Sequence, residues 1–106
     1  MTYRVIFQPR ALADLRAQYE YLAERNPTAA TRWFNQFVKG LESLAEFPHR
    51  CAVSPASRRA GREVRQYVFG HRGNARCAYF VIDTDSVRIL CIRHSAQSGP
   101  TSDDFE

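Results

Sequence analysis

The stretch Ala75-Arg-Cys-Ala-Tyr-Phe-Val-Ile-Asp-Thr-Asp-Ser-Val-Arg-Ile-Leu-Cys-Ile-Arg-His94 decides the fold of this chain. Two runs rich in β-branched and aromatic residues, Ala75–Asp83 and Val87–His94, flank Asp83-Thr-Asp-Ser86. The short polar side chains of that link favour a tight reversal, so the stretch reads as an antiparallel hairpin. Directly opposed residues of such a pair share a face of the sheet. If Val81 faces Ile89, then Tyr79 faces Cys91 and Arg76 faces His94. If Ile82 faces Val87, then Arg76 faces Arg93 and His94 lies on the other face. One residue of slip separates the two, and the sequence permits both.

Upstream, Gly70-His-Arg-Gly-Asn74 is turn chemistry and Glu63–Phe69 is a third strand-like run. Residues 48–61, with Pro48, Pro55 and Gly61, read as a loop. At the other end, Tyr3-Arg-Val-Ile-Phe7 is a short first strand. Pro9 follows it, in the place proline takes at a helix start. Leu12, Leu15, Tyr19 and Leu22 recur at steps of three and four, among Asp14, Arg16, Glu20 and Glu24. This predicts an amphipathic helix over Arg10–Arg25. Asn26-Pro27 is an N-cap followed by a first-turn proline, and a second helix runs to about Glu46, where Phe47-Pro48 stops it. Its apolar set is Trp33, Phe34, Phe37, Val38, Leu41 and Leu44. Gly40 interrupts that set at a cost of about 0.5–1 kcal/mol, which a close helix–helix or helix–sheet approach would explain. So short a connection makes the helices antiparallel neighbours. The order is β-α-α-β-β-β: an α+β fold, with a helical hairpin covering one face of a mostly antiparallel sheet.

The chain of 106 residues, 44% hydrophobic with five glycines, has the composition of one globular domain, expected over residues 1–97. Residues 98–106 form an acidic tail that reads as loosely held. No run approaches the ~20 apolar residues of a membrane span, and the N-terminus lacks a secretory signal, so a cytoplasmic protein without membrane contact is expected. Cys51, Cys77 and Cys91, odd in number and widely spaced, read as buried thiols rather than a disulfide framework or a zinc site, and no metal or cofactor is expected. The charge is uneven. Residues 48–98 carry nine arginines against Glu63, Asp83 and Asp85, while residues 99–106 carry three acids and no base. An arginine-rich surface of this kind suits a polyanion or an acidic protein.

The ordered combination of Tyr3–Phe7, Pro9, Ala13-Asp-Leu15, Phe47-Pro48 and the terminal hairpin resembles the ParE/RelE superfamily, the toxin halves of bacterial type II toxin–antitoxin pairs. The resemblance covers roughly residues 3–96. It implies the fold above, a cognate antitoxin as partner and a growth-inhibiting role. ParE-like members poison DNA gyrase without a known catalytic set, whereas RelE- and YoeB-like members cut mRNA on the ribosome. RelE-like enzymes use lysines, arginines and a tyrosine. Here Lys39 is the single lysine and lies in the second helix. The YoeB-type set pairs an Arg early in one hairpin strand with a His near the end of the next, which Arg76 and His94 match. Ser95 stands where that set has a Tyr, and Val53-Ser-Pro-Ala56 lacks its Glu.

The resemblance does not fix the target; the missing nuclease groups favour a ParE-like toxin that inhibits growth by binding a host target, with DNA gyrase the expected one. The other readings are a RelE/YoeB-type ribosome-dependent endonuclease, or a member that keeps antitoxin binding without toxicity. Arg76 and His94 are the catalytic candidates only in the nuclease reading. Arg58, Arg59, Arg62, Arg65, Arg72 and Arg93 are the candidates for binding target or antitoxin, with the first four and Arg72 and Arg76 expected on one positive surface. His49 and His71 read as solvent-exposed loop and turn histidines.

Overall fold

The computed structural model describes residues 2–70 and 75–94. The first strand, β1 (Arg4–Phe7), leads into helix α1 (Pro9–Ala23). Helix α2 (Pro27–Glu42) begins at Asn26, whose side-chain oxygen accepts from the Ala29 backbone N–H at 3.0 Å, as the Asn-Pro pair predicts. The two helices pack through Tyr19 against Phe34, ring to ring at 5.3 Å, edge-on. The helical stretch is shorter than its apolar pattern. After Glu42 the chain tightens into a 3-10 turn, Ser43–Ala45. Phe47 then takes a left-handed conformation (φ 53°) ahead of Pro48, and so breaks the helix. Arg50 ties down this exit, donating to the carbonyls of Glu46 (2.7 Å) and Phe47 (3.1 Å).

The 48–61 loop is more ordered than its prolines indicate. It holds a second 3-10 turn (Pro48–Arg50), a two-residue strand β2 (Ala52–Val53) and one helical turn, α3 (Ser57–Ala60). Ser57 Oγ fastens it, donating to the Ser54 carbonyl (2.7 Å) and accepting from the Val64 N–H (2.8 Å). Strands β3 (Arg65–Phe69), β4 (Arg76–Ile82) and β5 (Ser86–His94) follow.

The five strands lie in the order β1-β5-β4-β3-β2. All neighbours are antiparallel except β1 and β5, which run parallel from Arg4↔Ser86 to Phe7↔Ile89. The last strand of the sequence is therefore interior to the sheet. Its near-continuous apolar run, Val87 to Ile92, suits a strand covered on both faces.

The hairpin uses both registers that the sequence permits. Ile82↔Val87, Val81↔Arg88 and Phe80↔Ile89 follow one. Tyr79↔Cys91, Ala78↔Ile92, Cys77↔Arg93 and Arg76↔His94 follow the other. Leu90 is the extra residue of the β-bulge between them. The bulge keeps the faces consistent. Ala78, Phe80, Ile89 and Ile92 enter the main core, and Tyr79, Val81, Leu90 and Cys91 the smaller cluster on the other face.

The main core lies between hairpin and sheet and includes Leu15, Phe37, Leu41, Leu44, Phe80 and Ile89. The smaller one, Val64, Tyr79, Val81 and Cys91, includes the half-buried Ala60 of α3 at its border. Gly40 marks a helix–sheet approach. A Cβ there would collide with the Tyr67 hydroxyl and come within 3.0 Å of Cζ. Gly40→Ala is therefore expected to lower the melting temperature. Overpacking costs about 1–3 kcal/mol, more than the roughly 0.5–1 kcal/mol returned by the better helix former. Adding Tyr67→Phe, which removes the nearest atom, should recover part of the loss. A single variant that melts at or above wild type would show that α2 has room to move.

Candidate functional site

The sequence-predicted residues fall on two sides of the sheet. Arg76 opens β4 and points to the hairpin side, opposite His94 at the end of β5. Arg76 is 6% exposed, and its guanidinium carbon lies 5.4 Å from the centre of the Trp33 ring. Burial lowers its pKa from the usual arginine range. Burial, with the Arg76 charge second, also lowers the pKa of His94, so the neutral imidazole is the favoured form near pH 7.

These two residues line a groove of about 560 Å³ together with Arg10, Asp14, Gln18 and Tyr21 of α1. The groove exists because β1 stops pairing at Ile89, which leaves the end of β5 without a strand on that edge. Two side chains of α1 take the strand's place. Asp14 Oδ2 accepts from the Ile92 N–H (2.9 Å) and Gln18 Nε2 donates to the Ile92 carbonyl (3.1 Å). Asp14 Oδ1 also accepts from Arg10 Nε at 3.1 Å. Sequence reasoning placed Asp14 among the surface residues of an amphipathic helix. The available signal was its i,i+4 spacing with Gln18, but their common partner lies 78 residues from Asp14.

The other predicted arginines are placed differently. Arg58 and Arg59 are exposed on α3, which borders the opposite face. Arg62 pairs with Asp83 at 3.1 Å, and Arg88 binds the same carboxylate at 2.7 Å; these hydrogen bonds hold Asp83 below the ordinary carboxylate range. Arg65 is half-buried and donates to the carbonyls of His49 (3.1 Å) and Cys51 (2.7 Å), fastening the loop to β3. Arg93 borders the groove, and its charge also acts on Tyr79. Arg58, Arg59 and Arg62 thus share one surface region, whereas Arg76 lies across the sheet from it. Arg72, His71 and the 98–106 tail lie outside the described residues, as does the boundary at 97.

Among the described residues, Cys51, Cys77 and Cys91 are joined in no disulfide; Cys91 is buried and the other two are half-buried. Among the described residues no group of His, Cys, Asp or Glu has the makings of a metal site, and no helix is long and apolar enough to cross a membrane.

Residues 5–99 match the family model described as the ParE toxin of the type II toxin–antitoxin system parDE. The chain belongs to the ParE toxin family. It is 35% identical over 94 residues to Toxin RelE2 of Caulobacter vibrioides, a match covering 89% of this chain and 97% of that one. The structure is similar to a chain of a chromosomal ParDE toxin–antitoxin system from P. aeruginosa. That match has a TM-score of 0.71 and covers 88% of this chain and 96% of the other. At 20% identity the second likeness concerns the fold. The α+β fold and membership of the ParE/RelE toxins, both expected from the sequence, therefore stand.

Proposed function

We propose that this ParE-family toxin acts in the cytoplasm by binding a host protein, DNA gyrase, and that a small acidic antitoxin neutralises it. The observation that carries the reading is the setting of Arg76. A nuclease needs groups that take the 2′-OH proton, stabilise the pentavalent phosphate and protonate the leaving oxygen. Here the arginine is buried against Trp33 rather than presented on an open surface. Ser95 and Val53-Ser-Pro-Ala56 stand where YoeB-like enzymes resemble one another in having Tyr and Glu. Inhibition by binding requires none of these groups.

One observation favours a ribosome-dependent mRNA endonuclease instead. Arg76 and His94 are directly opposed, and His94 is held neutral, the form that accepts a proton. The likeness to a relative named Toxin RelE2 supports the same alternative. Expression without antitoxin separates the readings. Wild type and His94→Ala are both expected to arrest growth, and both purified proteins to inhibit gyrase supercoiling. A folded His94→Ala that no longer arrests growth and cleaves mRNA roughly 10²–10⁴-fold more slowly would establish the nuclease. No arrest by either protein would identify a member that only binds antitoxin.

The surface arginines Arg58, Arg59 and Arg62, with Arg93 at the sheet end, are assigned to partner binding. Arg65 supports them by holding the loop, and Arg72 belongs to the adjoining turn in sequence. Triple replacement of Arg58, Arg59 and Arg62 by alanine should weaken binding to antitoxin or gyrase. The effect should shrink as salt rises, because screening already removes the long-range part. Single changes should cost only about 0.2–1 kcal/mol each. Titration of both partners across a salt series measures this, and wild-type affinity of the triple variant at low salt would show a merely solvated face.

A further inference from the structure

We infer that Phe47 is a contact residue for the toxin's host target, its ring held out at one end of the sheet for an apolar cleft in a folded protein. The inference rests on the reading of this toxin as a binder of a host protein, and it names a residue that makes the contact.

A single exposed apolar side chain is ordinary on a protein surface. Phe47 combines exposure with an unfavourable backbone. It is 80% exposed, and at φ 53° it is the only non-glycine residue with a positive φ among the described residues. Asn and Asp enter that region far more readily than a bulky aromatic does. The proline that follows restricts the position further. A glycine would end the helical stretch there without strain. Packing within the fold does not offset the cost, because the ring lies in solvent. Strain of this kind persists only where the surrounding structure imposes it, and it collects at binding and switch sites.

The structure on both sides of Phe47 imposes it. Ahead of it, the Tyr3 N–H donates to the Ala45 carbonyl at 2.8 Å. Behind it, Pro48 is buried. Arg50 spans the bend, with Nη1 on the carbonyls of Glu46 and Phe47 and Nη2 on Ser43 Oγ at 3.0 Å. Arg65 then holds the His49 and Cys51 carbonyls. The ring is thus presented on a fixed backbone, which lowers the ordering cost of binding.

The charges at this end of the sheet set the class of partner. The 45–51 segment runs from Tyr3, ahead of β1, to Arg65, at the start of β3, so Phe47 shares that end with the link between β4 and β5. The arginines there are matched by carboxylates. Arg4 lies 3.8 Å from Asp85, Arg62 and Arg88 share Asp83, and Arg65 lies 3.5 Å from Glu63. An aromatic ring that stacks on bases works beside uncompensated cations that track the phosphates. Matched charges around an exposed ring favour a protein cleft. They also offer an acidic antitoxin less than the exposed arginines of α3 do.

Phe47→Gly tests this, because it removes the ring and suits the backbone. Phe47→Asn, which tolerates the same region with less chain freedom, is the second variant. Both should melt at or above the wild-type temperature, and both should bind the product of the gene beside the toxin's own as wild type does. Their inhibition of purified DNA gyrase should weaken about tenfold or more, and growth arrest without antitoxin should be lost. Phe47→Tyr should recover most of that loss. Variants that arrest growth and inhibit gyrase like wild type overturn the inference and leave the gyrase reading standing. Variants that melt well below wild type, or that lose antitoxin binding to the same degree, overturn it too, since the ring would then serve the fold or the antitoxin. Loss of mRNA cleavage with gyrase untouched would make Phe47 a base-stacking residue and likewise overturns it. If wild type leaves gyrase unaffected, the gyrase reading fails and growth decides Phe47 alone. Arrest kept by the variants then refutes the inference, and arrest lost with antitoxin binding intact supports it.

Discussion

Replacing Phe37 by alanine is expected to remove a large share of the stability of this fold. Phe37 is fully buried in the main core, and its ring lies 5.4 Å from Trp33, 6.5 Å from Tyr67 and 5.0 Å from Phe69. The two strand aromatics stack nearly parallel to it, at 13° and 20°. Phe37 is therefore a principal contact through which α2 holds β3, beside the approach of Gly40 to Tyr67, and β3 in turn carries the short edge strand β2. A Phe→Ala change in a core costs about 3–5 kcal/mol in lost transfer energy and residual cavity. A domain of this size has only about 5–15 kcal/mol in total. Urea unfolding followed by circular dichroism should show the midpoint falling with little change in slope. Phe37→Leu, which refills much of the space, should lose less. A loss below about 1.5 kcal/mol for the alanine variant would mean that the neighbouring rings collapse into the cavity.

Asp14→Ala carries the next largest expected effect on the fold, and it is local. The Asp14 carboxylate stands in for a missing strand at the end of β5, accepting the Ile92 N–H on one oxygen and Arg10 on the other. Ile92 is 1% exposed, so its N–H has no ready access to water once the carboxylate is gone. An orphaned buried donor costs about 1–3 kcal/mol. Asp14→Asn keeps an acceptor oxygen and should recover part of that. Amide hydrogen exchange is the informative measurement. Protection at Ile92 should drop in the alanine variant, while protection at Val87 and Ile89, held by β1, stays near wild type. Uniform loss along β5 would show instead that Asp14 supports the sheet as a whole. The same experiment bears on the groove, because Asp14 and Gln18 hold the strand end that carries His94.

Much of this architecture is written locally. Asn26-Pro27 specifies the turn between the helices through a side-chain cap and a fixed φ, both decided within a few residues. The terminal hairpin is legible because its link favours reversal and its arms favour strands. The loop before β3 was not legible. The order of its 3-10 turn, its helical turn and β2 comes from Ser57 and Arg65 bonding to carbonyls 3 to 16 residues away, which no local pattern announces. The candidate site was legible only in part. Arg76 and His94 were visible as residue types, but Asp14 and Gln18 became groove residues, and Trp33 the ring beneath Arg76, only once the helical hairpin lay on the sheet.

By itself, the sequence determined the order of the main elements (β1, α1, α2, β3, β4, β5), the antiparallel hairpins, the helix-start caps and the arginine excess of the second half. These depend on periodicity, turn chemistry and composition, which act over short range. The tertiary structure alone decided that β5 lies between β1 and β4, and that Leu90 bulges so that Arg76 faces His94 while Ile82 still faces Val87. It also placed the exposed arginines of α3 across the sheet from that pair. The physical reason is that a strand of near-uniform hydrophobicity tolerates either register along its length. The choice falls to the surfaces that cover it. Packing against α1 and α2 claims Ile89 and Ile92 on one face, and packing near α3 claims Cys91 on the other, so that one extra residue between them satisfies both.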